Sequence, residues 1–276
     1  MIRADRENRI VDDSGFLETR LSPSHALDRD EFYKSGFVVL PQILSSLEVE
    51  RFRLLTLSLF ERRCGWSNGD YIDMTSPFGT SSAQLLQIMY PSKYDQELAA
   101  HPLYDRAREI AQHILGDEVY LDFDHAILKP ALHGTITPWH QDEAYWDPEY
   151  DHNSVSIWLA LQETNAENGC MHFIPGSHSQ GVLPHSQYGG NADVHALEAQ
   201  DVDITNAWPC PVPAGCGTAH HQRLLHFTGP NLSNMPRLAY VLVFCRPPVL
   251  AKTPRVHSWR DALLDVRRRR EQSKDS

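Results

Sequence analysis

The 276 residues contain only five cysteines, Cys64, Cys170, Cys210, Cys216 and Cys245, and no CxxC pair. An odd count without paired spacing argues against a disulfide framework or a zinc knuckle, so reduced thiols in a cytoplasmic compartment are expected. Long apolar runs are missing too. No stretch approaches the ~18 apolar residues of a membrane span, and Met1–Ser14 is charged rather than apolar. Neither a membrane helix nor a signal peptide is therefore expected. Nor is there an excess of positive charge: 25 lysines and arginines stand against 36 aspartates and glutamates, a formal net charge of −11. That balance argues against nucleic acid or an anionic membrane as the main partner. The one concentrated basic run, Arg267–Arg270, reads as a solvated, fraying end.

What is present suggests one core. The length suits a single large domain with extensions: a polar lead-in over residues 1–27, a domain over 28–250 and a polar C-terminal extension over 251–276. Asp30-Glu31-Phe32-Tyr33 opens a short helix that Gly36 ends, and Phe37-Val38-Val39-Leu40-Pro41 is a β-rich run. Ser45 or Ser46 caps a helix with Leu47, Phe52, Leu55, Leu59 and Phe60 near the 3.6 period, and Leu103–Leu115 is a second amphipathic helix that Gly116 stops. Beyond Glu118 the texture changes to short β-like runs: Val119–Phe123, Ala126–Leu128, Val155–Leu161, Met171–Ile174 and Leu238–Phe244. Many short strands at this spacing imply a sandwich or barrel. The expected class is α+β, a cupin-like jelly roll (double-stranded β-helix) with flanking N-terminal helices. Asn168-Gly169 is a hairpin signal, Pro175-Gly176-Ser177-His178 a turn, and Ser186–Trp208 a long polar loop of the kind that serves as a lid or binding loop.

With fifteen histidines, no single one means much. In Thr137-Pro138-Trp139-His140-Gln141-Asp142-Glu143, His140 and Asp142 are two apart, and on a strand such residues share a face. Two histidines and one carboxylate on one side of a metal leave the opposite positions open, which suits iron(II) oxygen chemistry. A second histidine is available at His220, His221 or His226. On a continuous strand His220 and His226 share a face and His221 does not.

Three segments in order, Trp139-His140-Gln141-Asp142, Asn168-Gly169-Cys170 leading to Ile174-Pro175-Gly176-Ser177-His178, and Leu225-His226-Phe227-Thr228-Gly229-Pro230-Asn231, resemble the phytanoyl-CoA dioxygenase family of iron- and 2-oxoglutarate-dependent oxygenases. The resemblance runs from Gly36 to about Phe244. It implies His140, Asp142 and His226 as the ligands of Fe(II). It also implies Arg237, eleven residues after His226, as the partner of the far carboxylate of 2-oxoglutarate, a role for which a guanidinium fork is suited. Thr228 resembles the hydroxyl that assists the same carboxylate, and Trp158 the aromatic of the co-substrate pocket. His125 and Gln87 fall where the family uses variable contacts.

The implied reaction consumes 2-oxoglutarate and O2, releases succinate and CO2, and hydroxylates an unactivated carbon. Related halogenases replace the ligand carboxylate with a small residue, so Asp142 disfavours halogenation. Tyr145, Trp146, His133 and Lys129, with the loop Ser186–Trp208, are the candidate substrate contacts. No basic cluster suggests a CoA phosphate site, and the expected substrate is a small metabolite or natural-product intermediate. Two alternatives remain: a cupin-type metalloenzyme that does not use 2-oxoglutarate, against which Arg237 counts, and a non-catalytic ligand-binding jelly roll, against which the intact triad counts. Nothing in the sequence bears on oligomeric state.

Overall fold

The structure, a computed structural model, describes residues 27–77, 84–253 and 255–272, with side chains to 269. All of the expected lead-in except Leu27 lies outside the described residues. Chain order begins α1 (Arg29–Ser35), β1 (Phe37–Leu40), α2 (Ser46–Glu61), β2 (Tyr71–Asp73), β3 (Leu86–Met89), α3 (Gln96–Ala99), α4 (Leu103–Leu115) and β4 (Tyr120–Lys129). It continues β5 (Thr137–His140), β6 (Tyr150–Asp151), β7 (Ser154–Ala160), β8 (Met171–Phe173), β9 (His185–Gln187), β10 (Leu197–Ala199) and β11 (Trp208–Cys210). It ends with β12 (Gly217–His221), β13 (His226–Thr228), β14 (Arg237–Cys245), β15 (Val249–Leu250) and α5 (Arg260–Gln272).

The N-terminal helices follow from their caps. Asp28 accepts hydrogen bonds from the amides of Asp30 and Glu31, and Gly36, at φ +88°, ends α1 in the left-handed conformation that glycine adopts without strain. Ser45 and Glu48 form a reciprocal capping box at the start of α2. Glu48 also receives both Nη atoms of Arg106 on α4, at 3.0 and 2.8 Å, which ties the two helices together. The Arg106 bond is the main reason that the Glu48 carboxyl falls from its ordinary 4.5 to about 2. A carboxyl depressed in the folded state adds stability above its unfolded value, and that stability is lost as pH falls through the folded value. Arg106→Ala is therefore expected to unfold at a lower temperature than the parent at pH 6. The gap in Tm should narrow between pH 4.5 and 2, and a constant gap would contradict this account.

Seven strands form the larger sheet in the order β1-β12-β7-β14-β4-β3-β2, and four form the smaller, β11-β8-β13-β5, with all pairings antiparallel. Period two sorts the side chains. On β14, Leu238, Tyr240, Leu242 and Phe244 join the core beneath α2 and α4, while Ala239, Val241 and Val243 pack with Met171 and Phe173 of the smaller sheet. All nine residues of β14 are buried, which explains the nearly unbroken apolar run in the sequence. Two packed antiparallel sheets with helices on the outer face of one make the α+β jelly roll that was expected. Among the described residues no helix is long and apolar enough to cross a membrane.

Some local expectations differ. The two runs Val119–Phe123 and Ala126–Leu128 are one strand, β4. Asp124, which reads as a break, is buried there and accepts hydrogen bonds from Tyr104, Tyr240 and Ser92. Gly169 (φ +81°) lies in a turn joining β7 of one sheet to β8 of the other, so it does not close a hairpin. A Cβ there would stand 2.5 Å from the Gly229 carbonyl oxygen. The Ser186–Trp208 stretch is not all loop: β9, which begins at His185, pairs within it with β10. Among the described residues the C-terminal extension carries α5, and Trp259 just before it, Leu263 and Val266 are buried.

Candidate metal centre

The site forms where β5 and β13 lie side by side in the smaller sheet. Their register sets His140 opposite His226, with ring centroids 4.1 Å apart. β5 ends at His140, and Asp142 opens a 3-10 turn, Asp142–Tyr145. The carboxylate thus reaches the histidines from a turn and not from the shared strand face anticipated above. Gln141, fully buried between the two, fixes that turn by donating to the carbonyls of Gly181 and Arg223 and accepting from the amide of Leu183.

Each imidazole is oriented through its other nitrogen: Nδ1 of His140 meets the Pro138 carbonyl at 2.8 Å, and Nδ1 of His226 meets the Leu224 carbonyl at 2.9 Å. A ring whose Nδ1 carries the proton presents a bare Nε2. Asp142 Oδ1 lies 3.9 Å from His140 Nε2 and 3.5 Å from His226 Nε2, and the three donor atoms are all within 4.8 Å of one another. The other carboxylate oxygen, Oδ2, accepts a 2.7 Å hydrogen bond from Ser156 and stands 3.5 Å from His220 Nε2. One oxygen is thus held by the protein and the other faces the histidines. Burial pulls both His140 and His226 below the usual imidazole value, the uncharged state that a ligand requires. Burial alone would raise Asp142, but the facing His226, His220 and His140 hold it below the ordinary carboxylate range. Two neutral imidazoles and one carboxylate suit a hard-to-borderline divalent ion such as iron(II).

Thr228 follows His226 by two residues on β13, about 6.6 Å along the strand. There Arg237 approaches, 1 % exposed, with its Nη2 3.5 Å from Thr228 Oγ1 and its guanidinium 5.8 Å from the Trp158 ring centre. The Thr228 hydroxyl donates a hydrogen bond to Thr137 Oγ1. Nε and Nη1 of Arg237 have no hydrogen-bond partner among the described residues. Burial lowers Arg237 to about 10, which leaves it charged at neutral pH. A buried, fork-shaped cation with two idle donors is costly in the free protein and complementary to a carboxylate.

The other expected contacts divide. A cavity of about 660 Å³ opens from His140 and Asp142, and Gln87, His125, Tyr145 and Trp146 line it. Burial lowers His125 to about 4, so it faces the cavity as a neutral ring. His133 and Lys129 do not line it. Lys129 is 1 % exposed, because the inward parity of β4 carries it beside Arg237. Its ammonium donates to the carbonyls of Thr135, Thr228 and Gly229, so it braces the strand ends beside Arg237 and is no rim contact. His133 bridges to Asn231 and bonds Thr135. His221 points to the outer side, against Phe32 and His178. Sequence reasoning gave no role to Ser156 or Gln141, weighed His220 only as an alternative ligand, and did not foresee that the Asn231 amide ties Lys129, Pro130 and Met235 together.

The phytanoyl-CoA dioxygenase (PhyH) family model matches residues 32–239, three quarters of the chain and every residue of the centre. The chain belongs to the phytanoyl-CoA dioxygenase family. Membership carries the enzyme class, a dioxygenase that uses iron and 2-oxoglutarate. Among solved structures, that of EvdO2 from Micromonospora carbonacea var. aurantiaca complexed with 2-oxoglutarate is 37% identical at a TM-score of 0.72, covering 84% of this chain and 95% of that one. An L-proline trans-4-hydroxylase of Streptomyces griseoviridis is 24% identical, with 77% of this chain and 83% of the relative covered. A probable alpha-ketoglutarate-dependent hypophosphite dioxygenase of Stutzerimonas stutzeri is 28% identical over 58% of this chain. That match spans 56% of the relative's length. The donor atoms of His140, Asp142 and His226 converge as the ligands of a single metal ion would.

Proposed function

We propose that the chain hydroxylates an unactivated carbon of a drug-sized natural-product intermediate, with His140, Asp142 and His226 holding iron(II) and Arg237 holding 2-oxoglutarate. The observation that carries this reading is the pairing of the triad with a buried arginine whose Nε and Nη1 lack partners, one strand position pair away. A five-carbon dicarboxylate spans a comparable distance, its keto-acid end at the metal and its far carboxylate at Arg237 and Thr228. When bound, iron with 2-oxoglutarate and O2 supplies an oxidative decarboxylation that yields succinate, CO2 and the hydroxylated product. The chain's own part is to orient. Asp142 offers Oδ1 while Ser156 keeps Oδ2, Arg237 fixes the co-substrate, and Ile127 and Val243 keep the inner wall apolar.

Size favours a large substrate. Pockets of ~300–1,000 Å³ hold drug-sized ligands, and a cavity of about 660 Å³ would be mostly empty around a molecule the size of an amino acid. The lining combines apolar side chains, among them Met74, Leu85 and Met89, with the acids Asp70, Asp122 and Asp147. Arg260 and Arg267 also line the cavity, a basic contribution that the sequence did not suggest. Both bind backbone carbonyls among three acids, which does not make a site for the phosphates of CoA. The expected result is iron-dependent conversion of 2-oxoglutarate to succinate, slow alone and stimulated by apolar natural products of this size. No succinate with iron, ascorbate and a broad panel would contradict the reading.

A further inference from the structure

The family match ends at residue 239, yet the chain beyond it returns to the active site. It contacts each of the five residues that follow Asp142. Arg255 Nη2 lies 3.7 Å from the Glu143 carboxylate, and Trp259 Nε1 donates to the Ala144 carbonyl at 2.9 Å. Arg267 donates to the Tyr145 carbonyl at 3.3 Å, and Arg260 donates to the Trp146 carbonyl at 2.9 Å and pairs with Asp147 at 3.0 Å. Apolar packing accompanies these bonds, since Trp259 and Leu263 form one buried cluster with Ala144 and Leu197. The Tyr145 hydroxyl meets the Leu197 amide at 2.7 Å, and Arg269 bonds Ala192 and Asp193, so the 192–197 segment is drawn into the same assembly.

We propose that the segment from Arg255 through α5 is an active-site element that positions the Tyr145–Trp146 wall of the substrate cavity, and that Arg260 and Arg267 help to decide which substrates enter. The proposal rests on the reading of this cavity as the substrate site. A backbone carbonyl held by an arginine cannot turn freely, so the rings of Tyr145 and Trp146 are presented in one orientation to whatever occupies the cavity. Arg260 and Arg267 are seven apart on α5, two helical turns on one side, and both line the cavity. Tyr145 and Trp146 are therefore positioned from outside the jelly roll, and changes in α5 re-shape the cavity without touching a metal ligand.

The test uses full-length protein and the variants Trp259→Ala, Arg260→Ala and Arg267→Ala, with Arg260→Lys as the conservative partner. Amide hydrogen exchange at residues 143–147 is expected to accelerate roughly tenfold or more in the alanine variants and to return toward the parent rate in Arg260→Lys. Exchange that speeds up in α5 alone, with 143–147 unchanged, would overturn the proposal. The second readout is kinetic, with the probe being the apolar natural product from the panel that most stimulates succinate formation. Its KM should rise about tenfold in Arg260→Ala and Arg267→Ala while the KM for 2-oxoglutarate moves less than twofold. Equal changes in both constants, or none in either, would overturn the specificity role. A parent enzyme that makes no succinate would count against the proposed function, and the exchange experiment would still decide the role of α5.

Discussion

Arg237→Ala is expected to raise the KM for 2-oxoglutarate by roughly 10²–10⁴-fold, the cost of breaking a buried charge pair by about 3–5 kcal/mol. The size follows from the surroundings. Arg237 is 1 % exposed, and its remaining partner, Thr228, cannot replace a bidentate fork. Lys129 cannot substitute, because its ammonium is already committed to three carbonyls. The same burial predicts an asymmetry in stability. In the free protein the guanidinium has no counter-charge, so its removal should lower the apo Tm little, whereas the gain in Tm on adding 2-oxoglutarate should vanish. In the parent that gain corresponds to about 2.7 kcal/mol at a hundredfold excess over Kd. Arg237→Lys should recover only part, since an ammonium offers a point charge where the site is shaped for a fork. An unchanged KM for 2-oxoglutarate in Arg237→Ala would remove this residue from the co-substrate site.

The second large effect separates three neighbouring histidines. His226→Ala should lose iron and reduce turnover at least 10³-fold, because one of only three donors disappears. His221→Ala should keep its iron and its turnover per folded molecule. Burial holds the His221 ring uncharged, at about 3, and its contacts are with Phe32, His178 and the Arg223 amide, so its loss should cost roughly 1–3 kcal/mol of stability. His220→Ala and Ser156→Ala should fall between these limits, with metal affinity weakened about 10–100-fold, since both groups hold Oδ2 of Asp142 without facing the metal position. Metal content by elemental analysis, with Tm alongside, reads all four variants. Retention of iron by His226→Ala, or its loss in His221→Ala, would show a different distal ligand.

The sequence made the motifs legible more readily than their supports. α1, α2 and α4 could be read because their caps are local: Asp28, the Ser45–Glu48 box and Gly116 lie within a few residues of the helix ends they define. His140, Asp142 and His226 could be named from the motifs, but how they converge could not. The strand stops at His140, and the register that sets it opposite His226 spans 86 residues of chain. The same holds for Ser156. Its bond to Asp142 crosses from the larger sheet to a turn, and only its parity with Trp158 on β7 hinted that it faces inward. Lys129 misled because a lysine reads as exposed, while the parity of a ten-residue strand carried it inside. α5 carries its own signal in the sequence: Trp259, Leu263 and Val266, spaced i, i+4, i+7 among charges, mark a helix with one buried side. The run Arg267–Arg270 drew attention to the charge instead.

The account stands most directly on where metal and co-substrate bind. A crystal structure of the chain prepared without oxygen, with Mn(II) in place of iron and with 2-oxoglutarate, places both at once by anomalous scattering and difference density. The account predicts one ion bound by His140 Nε2, Asp142 Oδ1 and His226 Nε2, Ser156 still on Oδ2, and the far carboxylate of 2-oxoglutarate on Nε and Nη1 of Arg237. An ion held instead by His220 or His221, or a carboxylate bound away from Arg237, would contradict it.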